Sequence, residues 1–201
     1  MSEVRVTLQD VLLAAMERRV SEIHTCLPGK IEKYEYETQK ASVKPLIKKA
    51  YLDEKTESLP VIVNVPVIFP RSKDFSFTYP LNEGDLVLLL FSERSLELYL
   101  KEGGEQEPGD RRKYDLSDAI AIPGLYPFSE DSKATNNTDV LVKFKEAELK
   151  IKPDGKFYIK GDVVVTGEIT ATVDVKAAGK SLKTHIHSGV TPGPGNSGPP
   201  V

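Results

Sequence analysis

Cysteine is nearly absent from this 201-residue chain, where Cys26 stands alone. No internal disulfide can form, so packing, hydrogen bonding, assembly or a metal must hold the fold together. Excess charge is also lacking: 27 Lys and Arg offset 30 Asp and Glu, leaving −3. Such a balance exerts no pull toward nucleic acid or an anionic membrane surface, and no nucleic-acid partner is expected. Long apolar runs are missing, because the longest, LVLLLF at 86–91, falls far short of a bilayer core. Glu3, Arg5, Asp10, Glu17, Arg18 and Arg19 interrupt any signal-peptide core in the first twenty residues. The expectation is a chain that is soluble when made and not exported by a classical signal. Nothing resembles a serine, histidine and acid arrangement or a phosphate-cradling glycine loop, so the chain is expected not to be an enzyme.

What is present changes character three times along the chain. TLQDVLLAAMERRV, residues 7–20, predicts a short helix: Thr7 followed by Asp10 resembles a capping box, and Leu8, Val11, Leu12, Ala15 and Met16 share one face. Residues 1–20 are therefore expected to form a helical lid or inter-subunit strap. From 21 to 128, runs of Val, Ile, Tyr, Phe and Thr are cut by turn residues, among them Pro28-Gly29, Pro45, Pro66, Gly84 and Pro123-Gly124. Punctuation of this kind suits a small barrel or sandwich. SEDSKATNNTD, at 129–139, has no apolar period, and 129–140 reads as a linker.

Beyond it, none of the 17 odd positions from Ala147 to Gly179 is charged, while all but three of the even positions between them are plainly polar. Period 2 is the signature of strands with one buried face. Thirty-three residues exceed a single strand, so several are expected, with Gly155, Gly161 and Gly167 as places to bend or reverse. Full burial of a large aliphatic group contributes about 1.5–3 kcal/mol. Ordering each backbone residue costs about 1–2 kcal/mol, so the nine large apolar groups cannot stabilise this segment alone. Either an ordinary hairpin packs on the barrel, or identical chains close around a common axis, three being the most economical number.

His185 and His187 continue the odd parity, provided that the stretch Gly179–Lys183 leaves the register intact. In an extended strand, H-x-H places two imidazoles on one side, about 7 Å apart, suited to joint ligation of one ion. On a threefold axis two imidazoles per chain become six nitrogen donors, which suit an octahedral ion such as iron or nickel better than tetrahedral zinc. Such a site should weaken as pH falls through the histidine range. The tail GVTPGPGNSGPP has four glycines and four prolines, which excludes a helix or central strand and leaves a disordered terminus or a compact cap. Elsewhere, His24 and Cys26 form a His-x-Cys pair without a further ligand nearby, which favours a structural or exposed histidine. KEGGEQEPGDRRKYD, 101–115, is read as a solvated surface loop in preference to a binding loop, and Asp85 in NEGD has no base or nucleophile to partner it.

Four stretches match a known pattern: LPGKIEKYEYETQKASVKP at 27–45, VPVIFPRSKDFSFTYPLNEGDLVLLLFSERSLELYL at 65–100, DLSDAIAIPGLYP at 115–127 and THIHSGVTPGPGNSGPP at 184–200. Over nearly its whole length the chain resembles the central spike proteins of contractile-tail phage baseplates. The resemblance implies an all-β homotrimer, with a short helix, an oligonucleotide/oligosaccharide-binding (OB) barrel at 21–128, a linker at 129–140, a triple-stranded intertwined β-helix at 141–182 and a metal-bound apex at 183–201. It further implies one iron ion per trimer in an octahedral six-histidine site, with His185 and His187 contributed by each chain. The implied partners are a baseplate hub or tail-tube protein and, transiently, the host outer membrane; the implied place is the virion, at the tail baseplate tip. The β-helix portion is short for the family, and family members often have a tryptophan near the position of Tyr99. The implied role is mechanical: to stay folded under load and concentrate the force of sheath contraction on a narrow point. Competing expectations are a trimeric receptor-binding tail fibre or adhesin, the equivalent spike of a bacteriocin or secretion device, and a metal-dependent hydrolase. The last needs acidic ligands and an open coordination position, which the sequence near the histidines does not offer.

Overall fold

The computed structural model describes residues 6–51, 54–134 and 136–186, together with 189 and 193. The chain forms two compact units, Met1–Ser132 and Lys133–Val201. No helix among the described residues is long and apolar enough to cross a membrane.

The first unit opens with helix α1, Leu8–Ser21. The capping box predicted from the sequence is present: Asp10 N donates to Thr7 Oγ1 at 3.2 Å, and Thr7 N donates to Asp10 Oδ2 at 2.8 Å. These bonds satisfy two backbone donors that a helix start leaves without partners. None of the helix's residues is buried.

Strands β1 (Cys26–Glu35), β2 (Lys40–Pro45), β3 (Lys49–Ala50), β4 (Thr56–Glu57), β5 (Ile62–Pro66), β6 (Leu86–Phe91) and β7 (Ala119–Pro123) come next, with a short helix α2 (Glu97–Glu102) between the last two. Five of them form one sheet in the order β5-β2-β1-β6-β7, every neighbouring pair antiparallel. The sheet curls until its edges meet, where Val67 bridges Ala121 in parallel and Ile68 N donates to Ala121 O at 2.9 Å. A sheet that starts in the middle, runs outward both ways and joins its edges in parallel has the arrangement of an OB-like barrel. Alternation fills its interior: Ile31, Val43, Val65, Val87 and Leu89 are its largest fully buried side chains.

Two local expectations are corrected. Pro28-Gly29 is not a break but lies inside β1, because Gly29 must be small: a Cβ there would stand 2.6 Å from Val43 Cγ1 and 3.0 Å from Leu89 Cδ1. The run 101–115 is not wholly a solvated loop. Arg112 donates from Nε to Oδ2 of Asp118 at 2.8 Å and from Nη2 to Ser95 Oγ at 2.8 Å, while Leu96 N donates to Asp118 Oδ1 at 2.9 Å. Asp118 is buried, so this clasp both satisfies its charge and ties the β6–β7 excursion to the barrel.

The second unit begins with three strands in a meander: β8 (Val140–Phe144), β9 (Ala147–Ile151) and β10 (Phe157–Lys160). Val142 pairs with Leu149, and Leu149 with Ile159, so Val140, Val142, Phe144, Leu149, Ile151, Phe157 and Ile159 lie on one face. Lys143, Glu148, Lys150, Tyr158 and Lys160 take the other. The turn at Lys145-Glu146 switches the apolar parity from even to odd, so β8 falls outside a count begun at Ala147. Gly155 (φ 77°) makes the β9–β10 turn and Gly161 (φ 125°) comes directly after β10, whereas Gly167 does not have a positive φ. From 161 to 175 no strand forms among the described residues, although the alternation persists. The last strands, β11 (Lys176–Ala177) and β12 (Lys180–Ser181), form a tight hairpin.

The sequence pattern calls for a buried face here, and within this unit that face is open. No described residue of the second unit is buried; Leu149 is 37% exposed, Ile169 71% and Val173 79%.

Candidate metal centre

The hairpin at 176–181 reverses the chain just before the histidines. Ala178 (φ 50°) and Gly179 (φ 81°) both adopt left-handed backbone, as a two-residue turn of the type matched to strand twist requires. The odd parity counted from Ala147 therefore does not run on into His185.

Ser181 organises the turn that leads to His185. Its Oγ accepts from Lys183 N at 3.1 Å and from Thr184 N at 3.0 Å, and its carbonyl accepts from His185 N at 3.1 Å. Asp174 Oδ1 also accepts from Lys183 N at 3.3 Å. These bonds give the turn an identity that a hydroxyl two residues upstream makes possible. Neither Ser181 nor Asp174 stood out in the sequence; a serine two residues after Gly179 was the available signal.

His185 is placed by that turn. Its Nδ1 lies 3.1 Å from the carbonyl oxygens of both Ser181 and Leu182. A carbonyl can only accept, so in these contacts Nδ1 is the donor. A histidine whose second nitrogen is fixed by a backbone carbonyl has the form typical of a metal ligand. His187 lies outside the described residues. Among the described residues no group of three or more His, Cys, Asp or Glu side chains could hold a metal ion.

His24 serves the barrel. Its ring is tilted against Phe91 with centroids 5.5 Å apart, and its backbone N–H donates to Tyr114 O at 3.1 Å. Burial pushes its pKa below the ordinary histidine value, Lys49 adds to the effect and Asp115 opposes it. Asp85 is tied into its own turn, accepting from Asn82 N at 2.7 Å and from Tyr126 Oη at 3.4 Å.

Residues 27–124 match the family model described as phage protein Gp138 N-terminal domain, and residues 181–201 match the one described as GpV Apex motif. The first spans the barrel from β1 to the end of β7; the second begins at Ser181, the residue that positions His185. In spike proteins the apex motif is a metal-binding one, and the two families are structural parts of phage spikes rather than enzymes. No curated protein matches the chain. The chain thus carries an OB-like barrel that matches the Gp138 N-terminal domain and a terminal segment that matches the GpV Apex motif, both of them families of phage central spike proteins.

Proposed function

We propose that the protein is the membrane-piercing central spike at the tip of a contractile phage tail baseplate, acting as a homotrimer. In this role residues 21–128 dock the spike on the hub or tail tube behind the strap at 1–20. Residues 129–140 link that barrel to an intertwined β-helix at 141–182, and 183–201 form the apex that meets the host outer membrane. His185 and His187 of three chains would hold one iron ion there, an octahedral cross-link of six imidazoles where the chains would otherwise fray.

The observation that carries the proposal is the absence of any buried residue among the described residues of the second unit, despite its regular apolar alternation. An amphipathic sheet with nothing on its apolar face, continued by fifteen alternating residues without strand partners in their own chain, satisfies its backbone and side chains when identical chains wind around it. A closed trimer also suits a part that must transmit force, because unfolding it breaks contacts from three chains together.

Native mass determination with metal analysis tests the role. The expected result is a trimer carrying one iron; His187→Ala should remain trimeric, lose the metal and lose heat resistance at its tip. A monomeric wild type, or a variant that keeps stoichiometric iron, counts against it.

A further inference from the structure

The net charge of −3 is divided unevenly. Residues 1–132 carry 17 Lys and Arg against 23 Asp and Glu, a net of −6, whereas 133–201 carry ten lysines against seven acids, a net of +3. The chain-wide figure averages an acidic unit with a basic one. Within the basic unit most sheet lysines already have partners. Lys143 and Lys150 share Glu148 at 3.5 and 3.9 Å, Lys156 reaches Asp154 at 2.7 Å, Lys160 reaches Glu146 at 3.9 Å, and Lys152 lies over the Tyr158 ring at 4.6 Å.

Lys176, Lys180 and Lys183 differ. Among the described residues no carboxylate lies within ion-pair distance of any of the three. All of them line one open cleft of about 550 Å³ at the β11–β12 hairpin, together with the hydroxyl residues Ser181 and Thr184. Asp174 lines it too, its carboxylate accepting the Lys183 backbone N–H at 3.3 Å. Ile186, at the same cleft, is 92% exposed. Three ammonium groups without counterions among the described residues, hydroxyls that can donate to oxygen and an exposed aliphatic side chain are the chemistry of a surface that meets lipid headgroups.

We propose that the cleft lined by Lys176, Lys180 and Lys183 binds the phosphate groups of an anionic lipid surface. This rests on the spike role in one respect: the cleft adjoins the proposed metal apex, so in a spike it is the part that reaches the host envelope. It goes beyond that role by assigning the first contact to charge recognition rather than to thrust alone. Three chains would present nine such lysines around the apex.

Full-length protein is mixed with phosphatidylcholine vesicles with and without about 30% phosphatidylglycerol, and bound protein is read by co-sedimentation. Binding is expected on the anionic vesicles only, weakening as salt rises. A lysine near such a surface is worth about fivefold, so K176Q/K180Q/K183Q, which removes three from each chain, should bind at least about a hundredfold more weakly. K143Q/K156Q/K160Q removes the same charge from paired lysines and should lose far less. Equal losses in the two triple variants, or equal binding to neutral vesicles, would overturn the proposal. So would displacement by millimolar inorganic phosphate, which would mark a discrete ion site instead. Native mass and metal content are measured on the same samples. A metal-bound trimer that ignores anionic vesicles sinks the lysine cleft and leaves the spike role standing; a metal-free monomer that binds them through these lysines does the reverse.

Discussion

Leu149 stands directly opposite Val142 across the β8–β9 pair, at the centre of an apolar face that its own unit leaves open. If that face is where three copies meet, a carboxylate there must be buried unpaired three times over. Leu149→Asp is expected to leave the barrel's melting unchanged and abolish assembly, at a cost of about 3 kcal/mol or more per buried charge. Native mass spectrometry should then show a monomer. A trimer that survives the substitution would mean that this face is not the interface.

Gly29 marks the tightest point of the barrel. A methyl group there meets Val43 Cγ1 at 2.6 Å and Leu89 Cδ1 at 3.0 Å, both fully buried. Gly29→Ala should destabilise the first unit by about 1–3 kcal/mol, and Val43→Ala in the same chain should recover part of it by making room. Denaturant titration of the single and double variants measures the coupling.

Arg112 and Asp118 hold the β6–β7 excursion. Removing the guanidinium leaves Asp118, 3% exposed, with the Leu96 N–H but without its counterion. Arg112→Ala should cost about 1–3 kcal/mol. Arg112→Lys should restore little, because one ammonium cannot reach both Asp118 and Ser95 in the geometry of the planar fork. Thermal unfolding of the three proteins decides it, full recovery in the lysine variant being the contrary outcome.

His24 predicts a pH dependence. Its folded pKa lies below the ordinary value of 6.5, chiefly through burial. The unfolded chain therefore takes up the proton first as pH falls, so this contribution to stability is complete above 6.5 and is lost as pH drops from there through the depressed folded value. His24→Gln should flatten that part of the stability profile, read as the difference between the two proteins' unfolding midpoints at each pH. Parallel profiles would show that His24 contributes nothing to it.

Much of the fold is legible in short stretches of sequence. The capping box of α1, the apolar faces of β6 and β9, and the turn residues ending β2, β5 and β7 are each written within a few consecutive residues. Pro28-Gly29 misleads because the same dipeptide that makes turns also permits close packing inside a strand. Arg112 is lost in a charged run because its partner Asp118 is brought beneath it only by the fold. At the apex the sequence singles out His185 and His187 by type and spacing, but the reversal at Ala178-Gly179 and the carbonyls that orient the His185 ring depend on three-dimensional closure of the hairpin.

By itself the sequence determined the all-β character, the division into a punctuated half and an alternating half, and the two histidines next to a glycine-proline tail, since period, turn chemistry and residue type are local properties. Only the tertiary structure decided that Val67, just past β5, bridges Ala121 of β7 in parallel, that Gly29 must lack a side chain, and that the second unit has no interior among its described residues. Those facts depend on which distant segments come together and how much surface they leave uncovered, and no window of neighbouring residues contains that information.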